Sequence, residues 1–378
     1  MAVAGFAGLG FVGFSPNRIL TPKPMTLWQA VPPLGIGALV AGGALMLGGA
    51  LFGNRPSALL EVLAGSTLLL LADFLAAGNA AFNLTSAAGA PAARVSLGAA
   101  FWIALGSGAL AASDAMQRLR APPLIQLAGF AAFVAALAVL AAAGWFDDLS
   151  IVREWGNRRD EYASAFGQHV TLVLSALALA LAIGLPLGLA AARGRVASRR
   201  IFTVLSLIQT IPSIALFGLL IAPLTFVSEA IPGLRTLGVR GIGFTPALIA
   251  LTLYGLLPIA RNVVAGLESV PAAAIETARG MGMTRLQVLT RISIPLALPI
   301  LLAGVRIVTV QLVGLTVVAA LIGAGGFGAF VFTGLGQTAT DLVLLGALSA
   351  ILLALAADAI LRLITLAAIR VATPAAAR

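Results

Sequence analysis

Few residues in this chain could do chemistry. Among 378 residues there is one histidine (His169), one lysine (Lys23) and no cysteine. Disulfides and thiolate metal sites are excluded, and acid–base pairs have almost nothing to draw on. An ATP-binding P-loop needs GxxxxGK[ST], whose backbone amides and lysine cradle the phosphates. Lys23 lies in TPKPMT with Asn17 and Pro22 where the motif needs its glycines, so the chain carries no such site. The glycine run Gly323–Gly328 (GAGGFG) has the composition of a phosphate loop, but it closes a long apolar run and reads as a tight turn near the external gate. His169 reads as a hydrogen-bonded residue near a helix start. Polar character concentrates elsewhere, in Glu276-Thr-Ala-Arg-Gly-Met-Gly282, nine further residues, then Ile292-Ser-Ile-Pro295. Ala272–Arg279 favours helix, Gly280–Gly282 breaks it, and Met283–Arg291 resumes. A helix, a glycine turn and a second helix, bearing Glu276, Arg279, Arg285 and Arg291, suit the groove of a partner protein. Pro295 then fits the first turn of the next helix.

The elements that hold this segment are membrane spans. The chain is 60% apolar and 10% charged, with a mean hydropathy of +1.08, far from the balance of a soluble domain. About 20 apolar residues cross a bilayer as helix. Eight or nine runs qualify: roughly 34–53, 57–81, 96–113, 124–146, 168–192, 201–227, 244–266, 294–323 and 341–369. The excess of 23 Lys+Arg over 13 Asp+Glu lies mostly in short loops, as topology demands rather than nucleic acid. Arg193, Arg195, Arg199 and Arg200, and the arginines of 267–293, mark the cytoplasmic side. Alternation then places Arg55, Arg118, Arg120, Arg370 and Arg378 inside and 147–166, 228–243 and 324–340 outside. Residues 1–14 are too short to span. They read either as an apolar start or as the tail of a longer first helix, and no charged segment precedes them as in a signal peptide.

The expected architecture is therefore an all-α integral membrane protein with three parts. Residues 1–146 form a four-helix membrane extension, 147–167 an acidic extracytoplasmic linker, and 168–370 a five-helix core. Charges inside spans are expensive. Arg261 and Arg306 are read near the cytoplasmic ends of their helices, where they snorkel or pair locally. Glu61, Asp73 and Asp358 are read as helix-to-helix partners, Asp358 with Arg362 one turn on. Gln209, Thr210, Asn262, Thr309 and Gln311 are candidates to line a path. An ion-coupled carrier would want intramembrane carboxylates and internal repeats. Residues 168–357 hold only Glu229, Glu268, Glu276 and Asp341, all at loops or span ends.

The 276–295 spacing resembles the EAA loop of binding-protein-dependent ABC importers, E-A-A-x3-G-x9-I-x-L-P. Glu276, Ala278, Gly282, Ile292 and Pro295 fall in register, while Thr277 replaces an alanine and Ile294 a leucine. The resemblance implies an inner-membrane permease whose loop (Glu276, Ala278, Arg279, Gly280, Gly282, Met283, Ile292, Pro295) docks on a separate ATP-binding subunit dimer. It implies an extracytoplasmic substrate-binding protein and a second permease copy or a related permease as further partners, with no cofactor and no catalytic residue. His169-Val-Thr-Leu-Val-Leu-Ser, Gln209-Thr-Ile-Pro-Ser, Leu253-Tyr-Gly-Leu-Leu-Pro-Ile-Ala-Arg-Asn262 and Ile322-Gly-Ala-Gly-Gly-Phe-Gly are similar to quaternary-amine osmoprotectant permeases, importers of glycine betaine or choline. Ser15-Pro-Asn-Arg18 and Ala93-Arg-Val-Ser-Leu-Gly-Ala-Ala-Phe-Trp102 resemble the long Yeh-type subgroup. A different amine or amino-acid cargo is the alternative within the class.

Overall fold

Nine helices among the described residues are long and apolar enough to cross a membrane. The structure is a computed structural model and describes residues 8–17, 20–53, 55–90, 92–236 and 238–372. The start at Met1 and the residues Arg18 and Arg378 lie outside them. The chain folds as two compact units, Met1–Asn157 and Arg158–Arg378.

In the first unit the spans are α1 (Pro33–Leu51), α2 (Pro56–Ala88), α3 (Ala99–Arg118) and α4 (Pro123–Ala142). Three of them open on a proline, where a missing N–H costs nothing. Helices α1 and α2 pack closely through small residues, as lipid-embedded helices do. A Cβ on Gly65 would stand 2.4 Å from the Met46 nitrogen. Asp73 does not pair as expected. It is fully buried in α2, and neither carboxylate oxygen has a hydrogen-bond partner among the described residues. Its helix turns inward with Leu69, Leu70, Ala76 and Ala77, which offer it nothing. Glu61 is exposed near the start of the same helix and makes no ion pair among the described residues.

The all-helical expectation needs one addition. Strands β1 (Gly10–Ser15), β2 (Lys23–Thr26) and β3 (Arg94–Leu97) form an antiparallel sheet in the order β2-β1-β3. Phe11, Val12, Val95 and, from α3, Phe101 close its core with almost no exposure. The acidic stretch beyond α4 folds as well. Helix α5 (Ser150–Asn157) brings Glu154 to Arg94 at 2.5 Å, and Arg153 reaches both Asp148, at 2.6 Å, and the Ala93 carbonyl, at 2.7 Å.

The second unit contains α6 (Arg159–Ala191), α7 (Arg195–Thr210), α8 (Ser213–Ala230), α9 (Phe244–Glu268), α10 (Ala272–Gly280), α11 (Arg285–Val288), α12 (Ile294–Ala319), α13 (Gly328–Gly336) and α14 (Thr340–Ala372). Helix α6 starts nine residues before the apolar run does. Asp160 and Glu161 in its first turn complement the helix dipole and extend it beyond the hydrocarbon. The run 201–227 is not one helix. It breaks at Ile211, held extended at φ −74°, ψ 126° by the following Pro212, so the span is α8 and the arginines from Arg195 on belong to a separate helix. Helix α9 is the centre of the unit. Gly184 and Gly188 of α6 admit Ile259 and Val263 of α9, and Gly304 of α12 admits Asn262.

Candidate coupling surface and transport core

Helix α10 ends in a Schellman turn. Gly282 N–H donates to the Arg279 carbonyl at 2.9 Å and Met283 N–H to that of Ala278 at 3.1 Å, while Gly282 takes φ +80°, a conformation that favours glycine. Thr284 then caps α11 reciprocally. Gln287 N–H donates to its hydroxyl at 3.3 Å, and its own N–H donates to Gln287 Oε1 at 2.8 Å. Five residues of wider π turn, Leu289–Ser293, join α11 to α12. The width suits Pro295, which lacks an N–H and in a regular helix would crowd the Arg291 carbonyl. The second arm of the loop thus runs without a break into the span behind it.

The loop's outer face is mixed. Glu276, Arg279, Gly280 and Gly282 are exposed, and Met281 (67%) and Leu286 (68%) expose large apolar side chains beside them. Glu276, Arg279, Arg285 and Arg291 make no ion pair among the described residues. Ala278 (1%) and Val288 (6%) face inward, Met283, Ile292 and Pro295 are half-buried, and together they hold the two arms. An apolar pair ringed by unspent charges is the make-up of a docking surface.

Residues 184–368 match the family described as binding-protein-dependent transport system inner membrane component, and residues 1–152 match the N-terminal domain of the ABC transporter permease YehY. The osmoprotectant import permease protein OsmW of Salmonella typhimurium is 38% identical over 196 residues, 52% of this chain and 86% of that protein. The carnitine transport permease protein OpuCB of Listeria monocytogenes is 36% identical over 191 residues, 50% of this chain and 80% of its own length. Among solved structures, the methionine ABC transporter MetNI in an inward-facing conformation covers 56% of this chain and 98% of its own at TM-score 0.48 and 23% identity. The chain belongs to the binding-protein-dependent ABC import permeases.

In this permease the path candidates lie on three helices, Gln209 and Thr210 on α7, Asn262 on α9 and Thr309 and Gln311 on α12, and each hydrogen bond given for them goes to a backbone carbonyl and not to another candidate. Gln209 Nε2 donates to the Tyr254 carbonyl at 2.8 Å, and the Tyr254 hydroxyl donates to the Ile211 carbonyl, so both brace the break before Pro212. Thr210 is exposed and donates to Leu207. Asn262, two turns beyond Tyr254, donates to the Pro258 carbonyl of its own helix at 2.8 Å. Thr309 is buried and donates to Val305, and Gln311 is half-buried.

His169 does more than start a helix. Phe327 N–H donates to its Nδ1 at 3.3 Å, so Nε2 carries the hydrogen that it gives to the Val313 carbonyl at 3.1 Å. Gln168 Oε1 accepts from Gly326 N–H at 3.1 Å. Two amides of the GAGGFG turn are therefore spent on side chains, and Gly323, Gly325 and Gly326 all take positive φ. Phenylalanines scattered along the sequence meet here, with Tyr162, Phe166 and His169 around Phe327 at ring-centroid distances of 5.5, 6.1 and 5.0 Å.

Two subgroup-like motifs also acquire a physical meaning. Ser15-Pro-Asn ends β1 and Ala93–Trp102 contains β3, and the two strands pair Ser15 with Arg94 and Phe14 with Val95. Asp358 pairs across helices, with Arg306 Nε at 2.5 Å and not merely along its own helix. Arg306 is twelve residues inside α12, near the middle of that helix and not at its cytoplasmic end.

Proposed function

We propose that this permease forms the membrane path of an ATP-driven importer for a quaternary-amine osmoprotectant such as glycine betaine or choline. A separate ATP-binding subunit supplies the hydrolysis, and an extracytoplasmic binding protein delivers the cargo. The observation that carries this reading is the α10–α11 hairpin. It presents Glu276, Met281 and Leu286 outward and continues through α11 into α12. A push on that surface acts on a whole span, which is what coupling requires. The cargo follows the relatives, whose names specify osmoprotectants, carnitine and choline.

The test is uptake of radiolabelled glycine betaine into liposomes holding this chain, its ATP-binding subunit and its binding protein. Uptake should require every component and ATP. Uptake without ATP would overturn the class, and ATP-dependent assembly that ignores betaine and choline would overturn the cargo.

A further inference from the structure

Helix α7 has two different faces. Ile201, Leu205 and Ile208 turn inward and pack with Leu256, Leu257 and Ala260 of α9. The opposite face is open along the helix. Arg195, Arg199 and Arg200 are exposed on it, and so are the apolar Val196 (67%), Val204 (58%) and Leu207 (62%). These arginines, and Arg193 just before them, make no ion pair among the described residues. Nor does the sequence supply a counter-charge nearby, since there is no Asp or Glu between Glu161 and Glu229. Cations at a helix start oppose the helix dipole, and the first turn of α7 holds no acid to offset them.

We propose that this face of α7 binds anionic phospholipid, with the arginines holding headgroup phosphates and Val204 and Leu207 lying against acyl chains. The charge pattern decides the occupant. The other cytoplasmic segment, 267–293, mixes Glu268 and Glu276 with its arginines, as suits a protein partner. The open face of α7 is cationic and apolar without an acid, the make-up of a helix at an anionic membrane surface. Position agrees with composition. Only Ile211 and Pro212 separate α7 from the span α8, so the apolar end of the face adjoins the membrane. The arginines lie toward the other end, on the cytoplasmic side by the positive-inside rule. Guanidinium groups pair with phosphate through two parallel hydrogen bonds, so the arginines select the headgroup as well as the surface. Neither the cargo nor ATP coupling enters this assignment.

The test uses the full chain in vesicles that mix phosphatidylcholine with phosphatidylglycerol, one of the two brominated on its acyl chains. The chain has no cysteine, so Val204→Cys takes a single fluorophore on the open face, and brominated lipid quenches it only on close approach. Brominated phosphatidylglycerol should quench at a lower mole fraction than brominated phosphatidylcholine, with a preference of about fivefold for each arginine engaged. Arg195→Gln, Arg199→Gln and Arg200→Gln together should bring the two curves into coincidence, and a preference that survives them would overturn the site. A second measurement leaves every arginine in place. At about 1 M salt, where charges are screened beyond about 3 Å, the preference of the intact chain should fall severalfold. A preference unmoved by salt would overturn a charge-based site. Equal quenching by both lipids in the intact chain would mean contact without headgroup recognition, and quenching by neither would put the face against water or protein. Either result overturns the proposal.

Discussion

At the residue scale, Gly282 and His169 do work that their neighbours could not. Gly282 is held at φ +80° where α10 stops. Gly282→Ala should strain that turn by about 1 kcal/mol and lower uptake several-fold, with membrane insertion unchanged on a blot. His169 joins α6 to α12 and to the GAGGFG turn in its neutral form. His169→Phe leaves the Phe327 amide and the Val313 carbonyl without their side-chain partner. It should cost about 1–3 kcal/mol, read as a lower unfolding midpoint in detergent. Glu276 was legible in the sequence because a carboxylate, three arginines and two glycines stand out between apolar runs. The His169 joint and the Arg306–Asp358 pair were not legible. Each depends on residues 52 or more positions apart, and no local pattern reports which distant partner a buried polar group finds.

Elements show the same division. Nine apolar runs were visible because hydrocarbon thickness sets their length, yet where they break depends on the backbone. The run 201–227 hid a stop at Ile211–Pro212, since the apolar composition continues across it. The sheet of the first unit escaped because its strands have 6, 4 and 4 residues, too few for an alternating pattern. Pro295 explains the π turn between α11 and α12. Pro295→Ala restores an N–H and allows a regular helix, which would turn the loop about 100° relative to the span, one residue's share of a 3.6-residue turn. The expected result is more ATP hydrolysed per cargo molecule, measured as the ratio of phosphate release to uptake in the same liposomes. An unchanged ratio would mean that the wide turn plays no part in transmission.

For the whole molecule, each unit has its own hydrophobic core, one on the sheet and α2–α3, the other on α6, α9 and α12. The second unit contains the candidate coupling surface, the braced break before α8 and the Arg306–Asp358 ion pair. The account therefore stands or falls on whether force enters at the α10–α11 hairpin. The most direct test is Glu276→Lys in the reconstituted importer, scored for uptake, ATP hydrolysis and binding of the ATP-binding subunit. The predicted result is loss of uptake, with weakened subunit binding and a permease that still inserts and unfolds at the wild-type temperature. Full ATP-dependent uptake by Glu276→Lys would contradict it.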